Sequence, residues 1–265
     1  MQSGCVNPRY ERVTPSQFRI LLRFLIGVLL IDCLLLASPT LEATSVVALF
    51  DRAQNRLVIA TDCLVNRTSG YTKRCKIINI PGCFVAIAGL SEEPVTGFQL
   101  REIVRNACRS NGSLRDKAEA FLRISREPYQ RAVMSLRGTQ RERPSPALGN
   151  DRMEAVFAGL QDGHIALFVR GLAADPSGNL SVERYESSAP SHRRVGFFLG
   201  LNKHIRSYIS AHPDWEQQDF AELATQFVQL EIDAHPKLAG PPISEFELDK
   251  DGNGRWLARG ACDAD

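Results

Sequence analysis

Residues 44–62, TSVVALFDRAQNRLVIATD, contain two β-branched apolar runs joined by a polar segment. The runs are TSVVALF at 44–50 and LVIAT at 57–61, and DRAQNR at 51–56 separates them. Two such runs across a short polar connection predict a β-hairpin. Neither run alternates apolar with polar residues, which indicates strands that are buried on both faces.

The same kind of pattern recurs along the rest of the chain. A second hairpin is expected across Pro81-Gly82, with strands at 76–80 and 84–88. Further strands are expected at 155–160, 165–170, 180–185, 195–199, 243–248 and 255–258. Apolar spacing of three and four residues and capping signals predict helices at 99–108, from 113 to about 126, at 203–211 and at 217–234.

This order of elements predicts an α+β fold. Strands buried on both faces need a second layer on each side, so two packed sheets with helices outside both would satisfy the count. We therefore expect a four-layer αββα sandwich over residues 44–265. A linker or surface loop is expected at 137–150, where glycine and proline are frequent.

The first 43 residues differ in composition from the rest. Residues 24–37, FLIGVLLIDCLLLA, follow several arginines and are too short for a transmembrane helix but long enough for an export signal. Cleavage after Ala43 would leave Thr44 as the first residue; cleavage after Ala37 and an uncleaved membrane anchor are the alternatives. The sequence thus predicts periplasmic or extracellular export, with only transient membrane contact through this segment.

Composition argues against several classes of protein. The formal charge of +2 gives no basic footprint, so a nucleic-acid partner is not expected. The five histidines lack an H-x-x-x-H spacing, and Gly260 stands where a calcium loop beginning at Asp249 needs glutamate. We therefore expect neither a metal nor a cofactor. Among the cysteines, Cys63 and Cys75 could form a disulfide in an oxidising compartment, or remain buried free thiols.

Four segments carry a more specific pattern. Thr44 heads the first strand, Asp62 ends the second, Lys76 opens the third, and Gly89 closes the fourth. In this order the chain resembles the proteasome-type N-terminal-nucleophile (Ntn) hydrolases over nearly all of residues 44–259. The resemblance implies the αββα sandwich and a threonine nucleophile at Thr44.

The resemblance also implies roles for the other residues. Asp62 and Lys76 would form the supporting ion pair, with Lys73 as an alternative to Lys76, and the Gly89 amide would contribute to an oxyanion hole. A serine that assists the amine corresponds to Ser188. A family aspartate near the end of the last long helix corresponds to Asp233.

The chemistry is consistent without the family. A threonine hydroxyl needs an adjacent base, and a free α-amine, with an ordinary pKa of about 7.7–8.0, can supply one. A nearby lysine ammonium favours the neutral amine, and a backbone N–H can stabilise the oxyanion. While residue 43 is attached, this nitrogen is an amide, so processing would switch the site on.

The sequence therefore predicts an exported threonine-type peptidase or amidase with a peptide or amide substrate. An inactive proteasome-fold subunit with an assembly or binding role is the alternative, and a small-amide acylase is a third possibility. Family members favour rings, so a homo-oligomer is also expected from the resemblance.

Overall fold

The computed structural model describes residues 44–67, 70–139, 151–187 and 194–262. The expected export segment and the cleavage site after Ala43 lie outside these residues. Fourteen strands and four α-helices are present in the described ranges.

The strands are β1 (Ser45–Asp51), β2 (Arg56–Asp62), β3 (Leu64–Arg67), β4 (Gly70–Lys73), β5 (Ile77–Ile80), β6 (Cys83–Gly89), β7 (Glu92–Glu93), β8 (Phe98–Gln99), β9 (Asp151–Gln161), β10 (His164–Ala174), β11 (Leu180–Glu186), β12 (Arg194–Gly200), β13 (Ile243–Leu248) and β14 (Gly254–Ala258). The helices are α1 (Leu100–Arg109), α2 (Leu114–Thr139), α3 (Lys203–Ala211) and α4 (Phe220–Ala234), and a 3₁₀ turn covers Trp215–Gln217.

Ten of these strands form two five-stranded antiparallel sheets. Sheet I has the order β12-β1-β2-β13-β14, and sheet II has the order β11-β10-β9-β6-β5. The remaining four strands form two separate hairpins, β3-β4 and β7-β8. Strand order brings the start of β1 beside the end of β12, where Ser45 pairs with Gly200.

The two hairpins expected at the start of the domain are confirmed. β1 pairs antiparallel with β2, and β5 with β6. Every residue of β1 is buried, and its side chains alternate between two apolar clusters: Val46 and Ala48 face sheet II, whereas Val47 and Leu49 face α4. The absence of polar alternation in the sequence has this physical origin.

The apolar core consists of three clusters. One joins α1 and α2 to sheet II, a second joins side chains of the two five-stranded sheets, and a third joins sheet I to α3 and α4. Phe246 of β13 contacts Phe84 of β6 at a ring separation of 5.0 Å within the second cluster.

The predicted four-layer αββα Ntn sandwich is wrong. The structure is mainly antiparallel β, 41% strand and 32% helix, with its strands divided among several sheets. Four strands were not expected: β3, β4, β7 and β8. They are two to four residues long and have no continuous apolar run, so the pattern that predicts buried strands does not detect them.

The second helix is longer than expected. It was predicted to end at about residue 126, but α2 continues through Pro128 to Thr139. Tyr129, Ala132 and Val133 follow the proline and are buried in the core. Burial of this apolar face compensates for the hydrogen bond that the proline cannot donate. The helix takes the first three residues of the expected linker; residues 140–150 lie outside the described residues.

Candidate functional site

Thr44 lies immediately before β1 and is buried, with 4% of its surface exposed. Its carbonyl oxygen accepts a hydrogen bond of 2.7 Å from the Leu201 amide. Gly200 has a positive φ of 70°, and a Cβ there would lie 1.9 Å from the same carbonyl oxygen. A glycine is therefore required beside Thr44, and the segment after β12 fixes the Thr44 backbone.

Asp62 and Lys76 form a buried ion pair close to Thr44. The Lys76 Nζ lies 3.0 Å from both carboxylate oxygens of Asp62. The side chain of Asp62 is 0% exposed and that of Lys76 6%. Because the Ser45 amide donates to Asp62 Oδ1 over 2.9 Å, the carboxylate also holds the residue that directly follows Thr44.

Two further amides complete the surroundings of the Asp62 carboxylate. Leu64 N donates to Oδ2 over 3.1 Å, and Gly240 N donates to the same oxygen over 3.3 Å. Burial raises the pKa of Asp62 above its usual 3.8, whereas the Lys76 ammonium and the amides of Ser45 and Gly240 oppose that rise. The lysine and the amides supply the interactions that replace the lost water.

Lys76, and not Lys73, is the partner of Asp62. Lys73 ends β4 and is exposed to solvent. Lys76 lies between β4 and β5, and its carbonyl accepts from the Ile87 amide over 3.1 Å. The β3-β4 hairpin lies between Asp62 and Lys76 in the chain. The ion pair therefore joins the two ends of the segment that contains this hairpin.

Gly89 ends β6 and lines the same pocket as Thr44 and Lys76. Its φ is 85°, and a Cβ would lie 2.0 Å from the Arg152 carbonyl oxygen, so this position also requires glycine. The pocket has a volume of about 20 Å³, which is room for about one water molecule. It is lined by Thr44, Leu64, Val65, Arg74, Cys75, Lys76, Ile87, Gly89, Ser91 and Arg101.

The other two expected site residues are not in this group. Ser188 lies outside the described residues. Asp233 is exposed on α4, where its Oδ1 accepts from Gln229 Nε2 over 2.6 Å, and it lines a different groove together with Glu245. The structure thus brings together Thr44, Asp62, Lys76 and Gly89, and their chemical roles stay predictions.

Of the two possibilities for Cys63 and Cys75, a mutual disulfide is wrong, and a buried free thiol is confirmed for Cys63 but not for Cys75. Cys75 is bonded to Cys262, and Cys83 to Cys108. Cys63 is a buried free thiol whose Sγ lies 3.0 Å from Ser244 Oγ. Cys75 directly precedes Lys76, so its disulfide ties the segment that carries the lysine to the end of the described chain.

One residue beside the site was missed by the sequence analysis. Glu154 of β9 accepts a hydrogen bond of 3.0 Å from the Gly200 amide, next to the Thr44 carbonyl. Burial raises the pKa of Glu154, and the Gly200 amide opposes this rise. The strand was expected to start at residue 155, so an acidic residue directly before it was the available signal.

Comparison with known proteins adds no assignment. No protein-family model matches the chain, and a search of curated proteins finds no match. None of the helices in the described ranges is both long enough and apolar enough to cross a membrane.

Proposed function

We propose that the protein is an exported hydrolase of peptide or amide bonds, with Thr44 as its nucleophile once residues 1–43 have been removed. One observation carries the proposal: the buried Asp62–Lys76 ion pair, with both Nζ–O distances at 3.0 Å, adjoins a pocket lined by Thr44 and Gly89. These side chains can perform this chemistry in any fold that brings them together.

The ion pair would favour the neutral form of the Thr44 amine. An ammonium near a second amine disfavours protonation of that amine, so Lys76 would lower the pKa of the α-amine exposed by processing. Asp62 keeps Lys76 in place and, through Ser45 N, holds the chain beside the nucleophile. A neutral amine next to the Thr44 hydroxyl is the base that a threonine nucleophile needs.

The reaction would proceed in two steps. The Thr44 hydroxyl oxygen attacks the substrate carbonyl carbon while the amine takes the hydroxyl proton, and the Gly89 amide would stabilise the oxyanion. The C–N bond then breaks, the proton passes to the leaving nitrogen, and an ester of Thr44 remains. Water attacks the carbonyl carbon of this ester while the same amine takes a water proton. The bond from that carbon to the Thr44 oxygen then breaks, the amine returns the proton to the Thr44 oxygen, and the carboxylic acid product leaves.

The test begins with the mature N-terminus of protein isolated from the exported fraction, determined by intact mass and Edman sequencing. The protein is then treated with an electrophilic peptide probe that acylates nucleophilic hydroxyls. We expect a chain that starts at Thr44, labelling at that residue, and loss of both labelling and turnover in Thr44→Ala. Thr44→Ser should keep both, because it retains the hydroxyl.

Ser207→Ala is a matched control, since Ser207 is an exposed hydroxyl residue on α3. A mature chain that starts elsewhere, or turnover that survives Thr44→Ala, would refute the assignment. A chain that starts at Thr44 but takes no label would refute catalysis as well, and a non-catalytic binding or assembly role would then be the better interpretation.

A further inference from the structure

Three side chains with metal-ligating atoms meet between α3 and α4. His204 is the second residue of α3, Glu231 lies in the last turn of α4, and His235 caps the same helix. One ligand atom from each lies within 4.8 Å of the other two. Glu231 and His235 are four residues apart and therefore share one face of the helix.

The Glu231 carboxylate is held so that one oxygen remains directed at both imidazoles. Its side chain is 0% exposed. Oε1 accepts from the amides of His204 over 2.7 Å and Ile205 over 3.1 Å. Oε2 lies 3.2 Å from His204 Nδ1 and 3.9 Å from His235 Nε2. Hydrogen bonds to the second oxygen orient a ligating carboxylate in this way in metal sites.

We propose that His204, Glu231 and His235 bind a divalent transition metal ion, and that Zn²⁺ matches the site best. Two imidazole nitrogens and one carboxylate oxygen form a ligand set that Zn²⁺ uses in proteins. A tetrahedral ion with bonds of about 2.0–2.1 Å separates two ligand atoms by about 3.4 Å. The observed separations of 3.2 Å and 3.9 Å lie on either side of this value.

Solvent can reach the position of a fourth ligand. The side chains of His204 and His235 are 41% and 33% exposed, so water can complete the coordination. Hydrogen bonding alone explains only part of the arrangement. It accounts for Oε1 and for the contact to His204 Nδ1, but His235 Nε2 faces the same oxygen beyond hydrogen-bonding distance.

The ion would brace the two segments that support Thr44 and Asp62. His204 follows Leu201, whose amide donates to the Thr44 carbonyl, and His235 precedes Gly240, whose amide donates to Asp62. A metal that joins α3 to the end of α4 would therefore stabilise the folded chain. This inference does not depend on whether Thr44 is a nucleophile.

The test is a titration of the purified, chelator-treated protein with Co²⁺, followed by visible absorption, and then with Zn²⁺. No reductant is used, because reduction of the Cys75–Cys262 and Cys83–Cys108 disulfides would create additional thiol ligands. We expect one equivalent of Co²⁺ with the d–d absorption of a four- or five-coordinate ion, and displacement of that ion by Zn²⁺. Zn²⁺ should also raise the Tm.

Three variants connect the signal to this cluster. His204→Gln and His235→Gln should each weaken Co²⁺ binding by at least about 100-fold, more than loss of an outer partner usually does. Glu231→Gln should do the same and still fold, since its amide oxygen can accept the hydrogen bonds from His204 N and Ile205 N. His164→Gln is the control, because His164 is exposed at the start of β10.

Thermal melts without metal verify that each variant is folded. The proposal is overturned if the unmodified protein binds no Co²⁺ or Zn²⁺, or if His204→Gln and His235→Gln bind as tightly as it does. Loss of the signal in His164→Gln alone would place the metal elsewhere and would overturn it as well.

Discussion

Replacing Lys76 by methionine removes the positive charge next to a carboxylate that is 0% exposed. Breaking a buried ion pair by removing one partner costs about 3–5 kcal/mol, since the remaining charge is buried without compensation. Asp62 would keep its three amide donors, from Ser45, Leu64 and Gly240, so we expect a value near the lower limit. A loss of about 3 kcal/mol corresponds to a decrease in Tm of about 6–12 °C for a domain of this size.

The matched control is Arg131→Met. Arg131 pairs with Glu127 on α2, and the two side chains are 56% and 81% exposed. An exposed pair of this kind is worth about 0–1 kcal/mol, so the control should change stability little. Urea and thermal unfolding of both variants with intact disulfides measure the difference. A loss for Lys76→Met as small as that of the control would refute the reasoning.

The dependence on pH gives a second test of the same variant. Without the Lys76 ammonium, the pKa of Asp62 rises further above its usual 3.8, because burial is then less opposed. The folded variant therefore takes up a proton on acidification more readily than the unmodified protein does. The stability that Lys76→Met loses should therefore be largest when the pH is above this raised pKa, and it should shrink as the pH falls through it. A penalty independent of pH would contradict this account.

Two further changes test other parts of the structure. Burial raises the pKa of Glu245 from its usual 4.5 to about 7. The protonated group therefore makes its full contribution to stability below about pH 4.5, and this contribution is lost as the pH rises through 7. Glu245→Gln should remove this loss of stability. Between pH 5 and pH 8, urea unfolding should show that the variant becomes more stable than the unmodified protein by up to about 3 kcal/mol. Parallel pH curves for the two proteins would contradict this expectation. Gly89→Ala should reduce folding stability by at least about 2 kcal/mol more than Gly82→Ala does. Both glycines have a positive φ, but only at Gly89 would the Cβ meet the Arg152 carbonyl oxygen. Equal Tm values for the two alanine variants would exclude that explanation.

The parts of the molecule that depend on local pattern could be predicted. The β1-β2 and β5-β6 hairpins follow from apolar runs across short polar turns, and Asp62 and Lys76 were located because they stand at the ends of such runs. Helix α3 has the expected bounds, Lys203–Ala211. In these cases the residues that determine the structure are neighbours in the sequence.

The errors concern interactions that are distant in the sequence or that have little apolar character. The second helix was expected to end at about residue 126, but it continues through Pro128, because burial of the residues after the proline outweighs the lost hydrogen bond. Cys75 bonds to Cys262, which is 187 residues away, and no spacing rule indicates that pair. The fold class was wrong because short hairpins such as β3-β4 leave no periodic signal.

The cluster of His204, Glu231 and His235 was missed for a related reason. No two histidines of the sequence are four residues apart; the helix carries glutamate and histidine at that spacing instead. The third side chain comes from another helix, and only tertiary structure shows it. Asp233, two residues after Glu231, lies on an exposed part of α4 and lines a separate groove.

The Cys75–Cys262 disulfide has a consequence for a chain that has been cut. A single proteolytic cleavage between α2 and β9 would give two fragments that remain covalently joined, since Cys75 lies in the first and Cys262 in the second. Thr44 and the Asp62–Lys76 pair would be in the first fragment, and the supporting amides of Leu201 and Gly240 in the second. Because the bond keeps the halves at a high effective concentration, the nicked protein should reassemble this site as an intramolecular event.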